Sequence, residues 1–319
     1  MRILKVLALA VLIAGNATAQ QYPTRPIRIL IGFAAGGPTD VIARVLAQDL
    51  TPVLGQSLII DNRTGANSLI ATETVARATP DGHTLLFASL SHNVNYLLME
   101  KKSYHPLRDF APISLTAVLP LLLVTRPDTP ASSVRELIEL AKAKPGVVTY
   151  GSAGNGGSAH LAGALLETLT GTKMTHVPFR GNAPALVDVM SGQVTFMFYP
   201  MIGIADHVAV KRLKVLAVGT GKRHADYPSA PTMAESGFPG FEETAPWVGM
   251  LAPAGTSAAI VNRMSDEIRK SIAKADVKER LVVLGAINVG SSPGEFVEYL
   301  KKDGERWARV IKAAGVKPQ

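Results

Sequence analysis

Apolar residues along the chain come in short runs, separated by polar turns rich in glycine and by stretches with helical spacing. Residues 28–46, RILIGFAAGGPTDVIARVL, show the pattern most fully. Ile29, Leu30 and Ile31 form a compact apolar run, as expected of a strand buried on both faces. Gly36 and Gly37 are expected to turn the backbone tightly, Gly37 with positive φ, so that a ligand can come close. Pro38, Thr39 and Asp40 carry helix-start chemistry: a fixed φ, a hydroxyl and an acidic helix cap. Val41, Ile42, Val45, Leu46 and Leu50 then recur at helical spacing. Positions 32–39 hold no charged side chain, so this loop offers backbone N–H groups at a helix N-terminus, a setting for a small anion.

The alternation continues. A strand is expected over 57–61, a polar loop over 62–67, a helix over 68–78 with Ile70, Val75 and Ala76 inward, and a strand over 84–88. Positions 89–95, which include Ser89, read as a polar loop, and 110–124 as strands broken by Pro112 and Pro120. A second block repeats the opening architecture. The strand 147–150 runs into GSAGNGGSAH (151–160) and then a helix over 161–169. Strands at 175–178, 195–199 and 213–219 follow, with a helix at 183–191. The strand 247–252 leads back toward the first block, and the end is helical at 257–273, 276–284 and 293–314. Such alternation predicts an α/β protein with parallel sheets and right-handed crossovers. Two glycine loops in two blocks predict a ligand cleft between two lobes. The expected boundaries are 20–124 with 247–319 for one lobe and 125–246 for the other.

Composition adds where the protein works. Residues 1–19 begin with Arg2 and Lys5, continue apolar over 6–14 and end Ala17-Thr18-Ala19, the layout of a secretory signal peptide cut near Ala19. The apolar run is well short of the ~20 residues that a membrane span needs. The rest is expected to be exported and periplasmic, with no cysteine and hence no disulfide. The net charge of +8 is spread along the chain and aromatics are 6%, which argues against nucleic acid and leaves a mild bias toward acidic ligands.

Catalytic readings find little support. The seven histidines include no pair at i,i+3 or i,i+4, so no metal site is expected. The one nucleophile-elbow pattern, Gly290-Ser291-Ser292-Pro293-Gly294, lacks a later histidine, and Ser292 reads better as a helix cap. Gly219-Thr220-Gly221-Lys222-Arg223 lacks the first glycine and the closing hydroxyl of a phosphate loop. Residues 154–159 match a relaxed dinucleotide pattern, yet Lys173, Met174, Thr175 and His176 stand where its acidic partner belongs. No catalytic residue and no cofactor is expected.

Several segments together resemble the substrate-binding proteins of tripartite tricarboxylate transporters, the Bug-type periplasmic receptors. They are Tyr22-Pro23-Thr24-Arg25-Pro26-Ile27, Phe33-Ala34-Ala35-Gly36-Gly37-Pro38-Thr39-Asp40, Asn62-Arg63-Thr64-Gly65-Ala66 and Asp81-Gly82-His83-Thr84-Leu85. Further on come 151–163, 177–185, 192–194 and 231–237. The resemblance implies a type II periplasmic-binding-protein-like fold, with two α/β lobes closing on a small organic carboxylate. It also implies delivery to membrane permease subunits. A monomer is expected. A ligand-sensing receptor for a signalling partner, or less readily a cleft enzyme, would use the same cleft.

The ligand-binding positions that this implies are Phe33, Ala34, Ala35, Gly36, Gly37, Pro38 and Thr39 on the first loop, with Ser89. On the second they are Ser152, Asn155, Gly156, Gly157, Ser158, Ala159 and His160, with Phe179, Gly181 and Tyr199. His160, at a helix start, also reads as a structural hydrogen-bonding group. Phe179 and Tyr199 depart from the family's usual tyrosine and aspartate. That departure points away from amino acids and toward an apolar or aromatic carboxylate.

Overall fold

The computed structural model of the protein describes residues 22–317; the expected signal peptide lies outside them. The strands in chain order are β1 (Ile27–Ile31), β2 (Leu58–Asn62), β3 (Thr84–Ser89), β4 (Phe110–Val118), β5 (Leu121–Thr125) and β6 (Thr149–Ser152). They continue with β7 (Thr175–Pro178), β8 (Phe196–Pro200), β9 (Lys214–Val218), β10 (Trp247–Pro253) and β11 (Ile287–Asn288). Two sheets result, in the orders β11-β4-β10-β3-β1-β2 and β7-β6-β8-β5-β9. In the first, β1 pairs parallel with β2 and β3, while β10 runs antiparallel between β3 and β4. In the second, β6 lies parallel between β7 and β8, and β5 runs antiparallel between β8 and β9.

The period of two along each strand decides which face a residue serves. Ile27, Ile29 and Ile31 enter one core of the first sheet with Leu85, Phe87, Val248 and Met250. Leu30 enters the opposite core with Leu86, Ala88, Trp247 and Leu251. Both faces are covered by helices: α1 (Pro38–Leu54), α2 (Leu69–Ala76) and α3 (Ser91–Leu98) early in the chain. The second sheet carries α4 (Val134–Ala143), α5 (Ser158–Thr170), α6 (Asn182–Ser191) and the short α7 (Ala205–Ala209). α8 (Ala258–Ala273), α9 (Ala275–Val283) and α10 (Pro293–Ala313) close the fold.

Three expectations change. The apolar stretch 110–124 divides between the sheets: β4 stays in the first, and β5, expected in the first block, pairs with β8 and β9 in the second. The crossing falls at Leu119–Pro120, where Leu119 N–H donates to Pro246 O and Met201 N–H donates to Pro120 O, both at 2.8 Å. Residues 91–95 are helical, and three of their polar side chains find partners inside the protein. His92 Nε2 meets Pro106 O, Asn93 donates to Leu300 O and Asp303, and Asn95 donates to Asn67 O. In α2 the inward residues are Ala71, Thr72 and Val75, while Ile70 is half exposed.

α10 starts from a capping box in which Ser292 and Glu295 each accept the other's backbone N–H. Its Asp303 carboxylate is buried and accepts from Asn93 Nδ2 and Trp247 Nε1, both at 2.8 Å, and from Arg306. The end of this helix reaches the second lobe, where Thr168 Oγ1 donates to Ala314 O.

Candidate functional site

The carboxyl ends of β1, β3 and β6, and the loop after β7, face one another between the lobes. Crevices outside strand carboxyl ends are where α/β sheets hold ligands. A narrow cavity lies there, with about 20 Å³ of free space. Its walls carry the starts of four helices: Pro38 and Thr39 of α1, Leu90 and Ser91 at α3, Gly157 and Ser158 at α5, and Asn182 of α6. None of these four starts has a side-chain cap on its N–H groups. Uncapped helix N-termini present unsatisfied donors and the positive ends of their dipoles. Phe33, Leu119, Ala153, Pro200 and Pro246 supply apolar wall, Ser89 another hydroxyl, and among the described residues no charged side chain lines the space. The cavity therefore favours an anion, held by dipoles and hydroxyls rather than by a counter-ion.

Asn67 stands between this cavity and a wider groove of about 380 Å³ that shares it and Ala153. The groove is lined by Leu69, Leu98, Met99, Phe179 and Val316, with His160 and Arg180. Asn67 is central to a left-handed turn of Ala66 (φ 44°), Asn67 (φ 50°) and Ser68 (φ 75°). Three successive non-glycine residues in this region store backbone strain, which the surroundings must hold. They do so through a reciprocal pair: Asn67 Nδ2 donates to Asn95 Oδ1 at 3.1 Å, and Asn95 Nδ2 donates to Asn67 O at 2.8 Å. Asn67 Oδ1, Ser91 Oγ and Asn182 Oδ1, all on cavity-lining residues, are buried without a hydrogen-bond partner among the described residues.

The second glycine loop is pinned from behind by two histidines. Gly156 N–H donates to His160 Nδ1 at 3.0 Å, so the ring is neutral with its proton on Nε2. His160 stacks on His176 at 4.1 Å between centroids, and His176 Nε2 shares a 2.6 Å hydrogen bond with Ser152 Oγ. Ser152 Oγ in turn accepts from Gly154 N–H and donates to Gly154 O. Burial pushes His160 down to about 4. Burial, with the neighbouring His160, pushes His176 down to about 3. The loop's shape thus rests on two uncharged rings.

The model of the tripartite tricarboxylate transporter family receptor matches residues 42–316. The chain belongs to this family. Among its relatives is Protein BugT of Bordetella pertussis, 35% identical over 321 residues that span 99% of this chain and 98% of BugT. An R. palustris protein solved with adipate is 33% identical, with a TM-score of 0.89 over 93% of this chain and 100% of its own. MatC from Rhodopseudomonas palustris, solved with bound malate, is 31% identical, with a TM-score of 0.86 over 91% of this chain and 100% of MatC. The two-lobed α/β architecture is that of periplasmic binding proteins. Among the described residues no helix is long and apolar enough to cross a membrane.

In this family member, Phe33, Pro38, Thr39, Ser89, Gly157 and Ser158 line the cavity, while Asn155, Gly156, His160 and Phe179 line the groove. Ala34 and Gly181 meet each other across the lobes, and Ala35 and Gly36 form an exposed turn. Gly36 has the positive φ (76°), whereas Gly37 is an extended N-cap at φ −79°. Asp40 is third in α1, not its cap. Its carboxylate accepts Gly36 N–H, Asn62 Nδ2 and Arg44 Nε, and so shapes the loop. Burial would raise the Asp40 carboxyl, but these hydrogen bonds outweigh it and hold it below the usual range. Ser152 is occupied by Gly154 and His176, Ala159 is core, and Tyr199 is buried in the second lobe's core away from the cavity lining.

Asn67, Ser91 and Asn182 were not singled out by the sequence. Asn182 follows Gly181 directly at a helix start, a usable signal. Asn67 reaches the cavity only through its left-handed turn, which pattern alone does not show.

Proposed function

We propose that the protein is an exported receptor that captures a small carboxylate between its lobes and delivers it to the permease of a tripartite tricarboxylate-type transporter. One observation carries the reading: four uncapped helix N-termini converge on an interlobe cavity that contains no charged side chain. That arrangement attracts a carboxylate and has no acidic group to repel it. The carboxylates held by relatives of similar sequence support the choice of anion. The leader at 1–19 supports export, with cleavage near Ala19.

Contacts from both lobes exist together only when the lobes meet, so ligand shifts the population toward the closed form. No catalytic step is part of this reading, and the receptor acts as a monomer. Native mass spectrometry of protein purified without denaturation tests it. The expected result is a monomer carrying one small acid, with the first residue near Gln20. A neutral sugar or a free nucleotide in the cleft would overturn it. Uptake of the same acid should require both the receptor and the permease; uptake without the receptor would sever the proposed link.

A further inference from the structure

We infer that the site selects carboxylates bearing a neutral hydroxyl beside the carboxylate, and that the Asn67 amide oxygen reads that hydroxyl. This rests on the carboxylate reading above and names the class of acid within it. The orientation of the Asn67 amide is fixed by a backbone group. Asn67 O can only accept, so Asn95 must turn its Nδ2 toward it, at 2.8 Å. Asn95 Oδ1 is then the atom left facing Asn67, and it too can only accept. Asn67 must therefore present Nδ2 there, at 3.1 Å, and direct Oδ1 away.

That oxygen lies beside the second glycine loop: a Cβ placed on Gly157 would be 3.7 Å from it. It is buried, has no partner among the described residues, and belongs to a side chain on the cavity wall. An amide oxygen offers nothing to a carboxylate, because both only accept; it needs a donor. A buried acceptor left unpaired is costly, so a ligand that supplies the donor gains over one that does not.

A water can supply it when the site is empty; among groups beside a ligand carboxylate the donor is an ammonium or a hydroxyl, and electrostatics separates those two. Among the described residues no Asp or Glu lines the cavity or the groove, and four helix N-termini direct their positive ends inward. An ammonium there would be desolvated without a counter-ion. A hydroxyl carries no such penalty. The free space of about 20 Å³ is room for about one water, so the carboxylate and carbinol of a 2-hydroxy acid enter only if the lobes part further around them. The remainder of a longer acid would extend toward the groove that shares Asn67.

Calorimetry with matched pairs tests this: lactate against propionate, malate against succinate, and mandelate against phenylacetate. In any pair that binds, the hydroxy acid should bind about tenfold tighter. Asn67→Gly removes the amide and leaves a residue at ease at φ 50°. In that variant the difference within a pair should fall below about threefold, whatever the change in absolute affinity. The comparison in the unaltered protein stands without the variant. Equal affinities within a binding pair, or a preference that survives Asn67→Gly, would overturn the inference while leaving the carboxylate reading intact. Failure of all six acids to bind would contradict the carboxylate reading itself, and this inference with it.

Discussion

Ala34 donates its backbone N–H to the carbonyl of Arg180 at 3.2 Å, and that bond crosses from one lobe to the other. It joins the loop after β1 to the loop after β7, beside the cavity that both loops border. The lobes can approach this closely because position 181 has no side chain. A Cβ there would lie 2.9 Å from Ala34 N and 3.1 Å from Ala34 Cβ.

Gly181→Ala should therefore obstruct closure. Its φ of 153° adds backbone strain for any other residue. Carboxylate affinity should fall at least about tenfold, equivalent to ~1.4 kcal/mol. Small-angle scattering should show the ligand-dependent contraction reduced or lost. Unchanged affinity would mean that this contact is not part of the bound form.

Ser158→Ala tests the hydroxyl that stands at the start of α5 on the cavity wall. A single hydrogen bond to ligand or to a bridging water is worth about 1 kcal/mol, so the dissociation constant should rise about fivefold. Thermal stability without ligand should stay the same. An unchanged dissociation constant would remove Ser158 from the binding surface.

Acid should destabilise the protein before its carboxylates titrate. His92 and His160 are held at about 4 and His176 at about 3, each mainly by burial, against 6.5 for a free histidine. Below pH 6.5 the unfolded chain takes up protons that the folded chain refuses until near pH 4. Stability conferred by the neutral rings is complete above 6.5 and is lost as pH falls toward 4. Each refusing histidine changes the unfolding constant by up to about tenfold per pH unit. Urea unfolding at pH 7, 6 and 5 should show this slope, and His176→Gln should reduce it by about one proton. A flat profile between pH 6.5 and 5 would contradict the assignment.

Asp303→Ala should cost far more stability than a surface change. The carboxylate accepts from Asn93, Trp247 and Arg306, so its loss leaves three donors without their buried acceptor. Removing one partner of such a buried group typically costs about 3–5 kcal/mol. The urea midpoint should drop accordingly, while the folded fraction keeps its carboxylate affinity. A loss below about 1 kcal/mol would show that water replaces the carboxylate.

The first loop was legible because Ile29 to Ile31, Gly36, Pro38 and Thr39 carry local signals for strand, turn and helix start. The assignment of β5 was not, because Leu121 to Val124 are apolar throughout and fit the interior of either sheet. α3 escaped because His92, Asn93 and Asn95 look solvated until their distant partners are seen. Tyr199 fails to face the cavity because strand periodicity directs it into the core, and Pro200 after it supplies the wall. Asn67 was hidden most deeply: its left-handed backbone and its pairing with Asn95, 28 positions away, are tertiary facts.

Helix N-termini, without a charged side chain, should hold the anion between the lobes. Calorimetry of the purified protein with short carboxylic acids and with their primary amides tests it most directly, since the two differ little in shape and differ in charge. The expected result is one acid bound per chain, the matching amide weaker by at least about a hundredfold, and little loss of acid affinity on Arg180→Ala. Amides that bind as tightly as the acids, or acid binding abolished by Arg180→Ala, would contradict it.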